Sequence, residues 1–243
     1  MRSLWKWMKI RKFLFLLFPL LMFSGCGQQE RSNILTPDGS PSVSIMDFSN
    51  PISLKPLAEG WFHRTFWFVS PMDISFVTKD GYPSIRLATD NSASMLFRFV
   101  DFNLDQYPEL SWNWMVEKGI NSDISELTEE GDDQPARLFL SFEAPNGEKH
   151  RMEIIWGNRE VKRGDWKYIK GSSFPHYVAN GGDENIGRWF LENVDLVALY
   201  EHLWGSSAGV RLTDIGLFCD TDATGGQTVA YFSDIRANAK VGQ

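Results

Sequence analysis

Cysteine is scarce in this 243-residue chain: there are two, Cys26 and Cys219, too few for a disulfide framework. No apolar run is offered as a permanent membrane span either, because the unbroken stretch Phe13–Phe23 covers 11 residues and contains Pro19, against roughly 20 needed to cross a bilayer. Acidic residues are missing from the first 25 positions, while Arg2, Lys6, Lys9, Arg11 and Lys12 precede the apolar run. That is the layout of a secretory signal, removed on export. Basic residues are in deficit beyond it: without the leader's five, 19 Lys and Arg stand against 31 Asp and Glu, a net of −12. Such a balance excludes nucleic acid as a partner. Repeats and low-complexity tracts are lacking too, and the remaining length suits one large domain.

Phe23-Ser24-Gly25-Cys26 resembles the lipobox of bacterial lipoproteins, with Phe at the leading position instead of the usual Leu. The resemblance implies cleavage before Cys26, acylation of Cys26 and a membrane partner through that lipid anchor. Gly27, where Asp would retain such a protein at the inner membrane, implies the periplasmic side of the outer membrane. Residues 1–25 are then the signal peptide, 26–42 a polar flexible tether and 43–243 the folded domain. Cys219, left alone, reads as a small buried hydrophobe.

After residue 42, short runs of alternating apolar residues recur between turn signals, the mark of antiparallel strands. Eleven are expected: Ser42–Phe48, Ile74–Thr78, Ser84–Thr89, Ala93–Val100, Glu109–Val116, Ala136–Glu143, Lys149–Trp156, Trp166–Lys170, Arg188–Asn193, Val210–Asp220 and Thr228–Arg236. Lys79-Asp80-Gly81 and Pro145-Asn146-Gly147 mark tight hairpins. One segment has helical spacing: Leu196, Leu199, Tyr200 and Leu203 share a face, with Asp195 placed to cap its start and Gly205 its end. Many strands and one short helix predict an all-β, jelly-roll-like β-sandwich and argue against a doubly wound α/β fold.

Two motifs that suggest chemistry fail on context. Gly205-Ser206-Ser207-Ala208-Gly209 fits a nucleophile elbow, but a helix precedes it, a strand follows it, and no histidine lies downstream. Leu217–Thr224 resembles the D-x-D-x-T loop of haloacid-dehalogenase-type phosphatases, yet only 19 residues remain after it and the surrounding pattern is β, not α/β. Read instead as an oxygen cage, Asp220, Asp222 and Thr224 alternate ahead of Gly225, and Asp234 returns on the next strand. Tyr231 at the twelfth position excludes an EF-hand, but a simpler structural calcium site stays open beside a plain turn.

Carboxylates also gather between Glu117 and Asp133, where Asp132 and Asp133 end just ahead of the strand that carries Arg137 off the core face. An Arg held by such a pair either orders the loop or presents a fork to a ligand. Of the tryptophans, Trp156 is taken as a ligand candidate because aromatic planes stack on sugar rings, whereas Trp112 and Trp114 share a wholly apolar strand face and read as core.

Trp112-Asn113-Trp114, Gly131-Asp132-Asp133-Gln134-Pro135-Ala136-Arg137, Trp156-Gly157, Asp220-Thr221-Asp222-Ala223-Thr224 and Ser233-Asp234-Ile235, in that order, resemble domain of unknown function 3047, from about Phe48 to Arg236. Ala223 stands where that family has Asn. The resemblance implies a galactose-binding-like jelly roll and brings no activity with it. The combined expectation is a membrane-anchored binding or scaffold domain, leaning away from catalysis, with carbohydrate or an envelope protein as partner. Its ligand site would comprise Asp132, Asp133, Arg137, Trp156, Asp220, Asp222, Thr224 and Asp234. The alternative is a hydrolase acting on envelope polysaccharide through paired carboxylates.

Overall fold

A computed structural model describes residues 31–169 and 174–240. The signal segment and Cys26 lie outside the described residues, as does Lys170 at the end of one expected strand. In chain order the elements are β1 (Ser42–Met46), β2 (Trp61–Thr65), β3 (Asp73–Lys79), β4 (Tyr82–Asp90), β5 (Ser94–Asn103), β6 (Glu109–Lys118), β7 (Ala136–Glu143), β8 (Lys149–Gly157), β9 (Trp166–Lys167), β10 (His176–Gly181), β11 (Phe190–Asp195), α1 (Leu196–Trp204), β12 (Arg211–Phe218) and β13 (Gln227–Asn238). They form two sheets. One runs β11-β6-β13-β4-β3, with β1 also paired to β13, and the other runs β2-β5-β12-β7-β8-β10-β9. Neighbours are antiparallel, save β8 with β10. The fold is a jelly-roll-like β-sandwich with one helix.

Period-two patterning explains how the sheets stack. Leu110, Trp112, Trp114 and Val116 on β6, Leu138, Leu140 and Phe142 on β7, and Met152, Ile154 and Trp156 on β8 turn the same way and are buried in one core. Each such side chain contributes on the order of 1.5–3 kcal/mol by leaving water. The Trp114 ring packs against Trp112, Trp156 and Phe232, with centroids 5.3, 5.4 and 6.0 Å away. Trp156 as a ligand candidate is thereby corrected, because its even position in β8 puts it between the sheets with no face left for a sugar. Cys219 is buried and free.

The hairpin signals sit where tight turns need them: Asp80 and Gly81 both have positive φ between β3 and β4, as has Gly147 between β7 and β8. At α1 the Asp195 carboxylate accepts from the Ala198 N–H at 2.9 Å, the N-cap bond, and Gly205 follows at φ 85°. Strands β2 and β10 are additions to the expected set. Trp61–Thr65 lacks apolar-polar alternation, and His176–Gly181 ends in an Asn-Gly that reads as a turn. Of the segment before β1, Leu35 lies against the second sheet, donating to Phe99 O at 3.0 Å and accepting from Asp101 N–H at 2.9 Å, whereas the Pro41 carbonyl accepts from the Ala239 N–H at 2.8 Å beyond the end of β13. Arg31 reaches Asp214 at 2.6 Å.

Candidate functional site: an acid-rich cleft on the outer sheet face

The residues alternating with the core set point to the outer face of the seven-stranded sheet. On β7 these are Arg137, Phe139 and Ser141. Register places Phe218 opposite Arg137, Phe139 opposite Glu153 of β8, and Glu153 opposite His176 of β10. With Arg64, Phe66, Asp132, Arg151, Phe174 and Asp220 they line a cleft of about 420 Å³. Aromatic rings and charged groups therefore share one surface, because neighbouring strands present their outward positions in register.

Arg137 is the hub, only 3% exposed. Its Nε and Nη2 donate to the two oxygens of Asp220 at 3.0 and 2.8 Å, and its Nη1 donates to Glu153 Oε2 at 2.7 Å. Nη2 also donates to the Asp132 carbonyl, and the guanidinium lies 4.9 Å from the centroid of the Phe218 ring. Glu153 Oε2 is 3.1 Å from Nε2 of the buried His176. Asp132 takes the ammonium of buried Lys167 at 2.9 Å. Asp220 accepts a further bond from the Gln134 N–H at 2.9 Å. One guanidinium thus holds two carboxyl groups, by hydrogen bonds from different edges of its plane.

Burial acts against every charge here, and the partners decide the outcome. For Glu153 the nearby Arg137 and His176 overcome burial and bring its pKa down to about 2. For Asp220 burial prevails, reinforced by the negative charges of Asp133 and Glu153, and its pKa stands well above the usual carboxylate range although Arg137 pulls it down. The carboxyls around Arg137 outweigh its own desolvation and hold it protonated above its ordinary range. Burial, with Arg137 nearby, lowers Lys167. Two acids share one guanidinium, and their surroundings shift them in opposite directions.

Asp132, Asp133, Arg137, Asp220, Asp222 and Thr224 come together. Asp133 accepts from the N–H groups of Ala223 and Thr224 at 3.1 and 2.7 Å and from the Thr224 hydroxyl, so it ties the 220–224 turn to the start of β7. Carboxylate oxygens of Asp133, Asp220 and Asp222 lie within 4.8 Å of one another, close enough to share one divalent cation. An all-oxygen set of this kind suits calcium. Burial, with Asp133 beside it, raises the Asp222 carboxyl, as expected where carboxylates crowd without a cation.

Asp234 does not join them, which corrects its place in the site. It sits at a bulge of β13 in the other sheet, at φ 46°, and pairs with Arg236 at 3.2 Å. Asp tolerates this left-handed backbone and so serves the bulge. Glu153, Lys167 and His176 are the site members that sequence reasoning missed. For Glu153 a signal existed, a lone acid inside the apolar run Met152–Trp156. Ser207 donates to Glu201 at 2.7 Å and so closes the helix-ending loop.

The expectation that leaned away from catalysis is overturned by the buried acidic cluster of Asp133 and Asp220 with Asp222 beside it. Charges are buried here at a cost of several kcal/mol each unless they are compensated, and of these acids Asp220 lines the cleft with Glu153.

Residues 59–236 match a family model described as protein of unknown function (DUF3047). No curated protein matches the chain in sequence. Among solved structures, endoglucanase cel12A from Rhodothermus marinus is 10% identical with a TM-score of 0.41, covering 75% of this chain and 93% of its own. The mannan-recognising carbohydrate-binding module TmCBM27 is 13% identical with a TM-score of 0.34, covering 83% of this chain and 100% of its own. An agarase, AgWH50C, is 8% identical with a TM-score of 0.36 over 83% of this chain, which spans only 25% of the agarase. At these values the likeness concerns the sheet arrangement alone.

Proposed function

The chain belongs to the DUF3047 family, whose description carries no activity, and we propose from its cleft that it is a hydrolase acting on polysaccharide through paired carboxylates. The observation that carries this reading is the pairing of Glu153 and Asp220 on a single buried arginine in an open, aromatic-lined cleft. In this reading Glu153 is the base or nucleophile and Asp220, whose carboxyl burial shifts upward, is the acid that protonates the departing glycosidic oxygen. Arg137 positions both acids, and the half-buried rings of Phe66 and Phe174 offer apolar surface to a sugar face. In this reading the protein is exported and held at the periplasmic side of the outer membrane by lipid on Cys26, beside envelope polysaccharide.

The test is reducing-end release from peptidoglycan, β-glucan, mannan and agarose by the purified protein. Glu153→Gln and Asp220→Asn are expected to lower turnover by roughly 10²–10⁴-fold, with circular dichroism verifying that each variant folds. Turnover that survives both substitutions, or no release from any polymer, sinks the hydrolase. Repeating the assay in millimolar calcium and after chelation examines the cation as well. If Asp133, Asp220 and Asp222 bind calcium, chelation lowers the melting temperature, and an unchanged melt removes the ion.

A further inference from the structure

The sheet edge beside the cleft carries a feature the acids do not explain. β2 ends at Thr65 and the chain turns through Phe66-Trp67-Phe68-Val69, closed by the Val69 N–H donating to Phe66 O at 3.4 Å. Trp67 is 88% exposed and Phe68 102% exposed, with their ring centroids 6.2 Å apart. Phe68 has φ 64°, a left-handed backbone that bulky residues rarely adopt. Burial offsets none of this. Two large apolar rings stand in water on a strained turn.

The turn is firmly footed. Thr65 pairs with Ser94, and the Ala93 N–H donates to Ser70 O at 2.9 Å, so both feet rest at the start of β5. The same stretch holds the cleft acid: Ala93 bridges Asp220, and the Thr221 N–H donates to Ser92 O at 3.1 Å. On the cleft side, Phe66 and Arg64 form part of its lining, with the Arg64 guanidinium 5.4 Å from the Phe66 ring centroid. Trp67 and Phe68 follow Phe66, which lines the cleft, directly along the chain.

We propose that Trp67 and Phe68 form a fixed stacking platform for pyranose rings of a polysaccharide, outside the reacting subsite and continuous with it. This rests on the cleft's assignment to polysaccharide. The turn's backbone is held at both feet, and an aromatic plane covers the apolar face of a sugar while leaving its hydroxyls in water. Continuity with the cleft favours a glycan over a lipid surface as occupant, and lipid insertion becomes an outcome of the test.

The experiment compares wild type, Trp67→Ala, Phe68→Ala, Trp67→Phe and Glu153→Gln as the full chain the cell produces. Affinity electrophoresis through gels containing β-glucan, mannan or agarose reads binding, reducing-end release reads KM and kcat on polymer and on a trisaccharide, and flotation with phosphatidylethanolamine–phosphatidylglycerol vesicles reads lipid association. The platform predicts about tenfold weaker polymer binding and higher polymer KM in Trp67→Ala and Phe68→Ala, unchanged kcat and trisaccharide KM, and recovery in Trp67→Phe. Polymer binding or cleavage that ignores both alanine substitutions overturns the platform and leaves the cleft assignment standing. Retention of polymer by wild type and Glu153→Gln but not Trp67→Ala, without cleavage by any form, sinks the hydrolase and keeps the platform. Vesicle association lost in Trp67→Ala while polymer binding is unmoved overturns it in favour of a lipid surface, and wild type that binds no polymer refutes it outright.

Discussion

Glu153 shows how one side chain links the site to the stability of the fold. Its pKa of about 2 is below the ordinary 4.5, so the folded state holds this proton less tightly than the unfolded chain does. Stability from this group is therefore fully present above about pH 4.5 and is lost as pH falls toward 2, an effect on the order of 3 kcal/mol. Asp220, shifted upward, acts with the opposite sign, its contribution falling as pH rises above the ordinary carboxylate range. Urea melts between pH 2 and 6 are expected to show a steeper acid loss in wild type than in Glu153→Gln; equal slopes would remove the shift. Little of this was legible in the sequence. Asp132, Asp133 and Arg137 were visible as neighbours along the chain, but Glu153, His176 and Lys167 reach the site through strand register.

At the scale of elements, α1 was the most legible. Its apolar face at Leu196, Leu199 and Tyr200 is buried, and Asp195 caps it. Tyr200 also ties the helix to β8, with its hydroxyl 2.7 Å from His150 Nδ1. Asp195→Ala is expected to cost about 1 kcal/mol and to lower the thermal midpoint by roughly 2–4 °C in a calorimetric scan; an unchanged midpoint would mean that packing alone sets this helix start. Strands were legible where alternation ran unbroken, as in β6 and β7. They were less so at bulges. In β12 the core residues Leu212, Ile215 and Leu217 break a strict period of two, because the register shifts between Leu212 and Asp214. One extra residue there exchanges the faces of the strand on either side of it.

For the whole molecule, the anchoring proposal makes a separable prediction. Cells given labelled palmitate should incorporate it into wild type but not Cys26→Ser, and only wild type should sediment with membranes; unlabelled wild type would end the lipid-anchor reading without touching the cleft. Alternation of apolar residues by itself determined the class of fold, since a strand with one apolar face has to bury it against another sheet. The convergence of charge was decided only by tertiary structure. Arg137 and Asp220 lie 83 positions apart, and they meet because β12 pairs with β7 in a register fixed by the bulge. Hydrophobic patterning specifies which face turns inward but carries no information about which polar residues of the other face become neighbours.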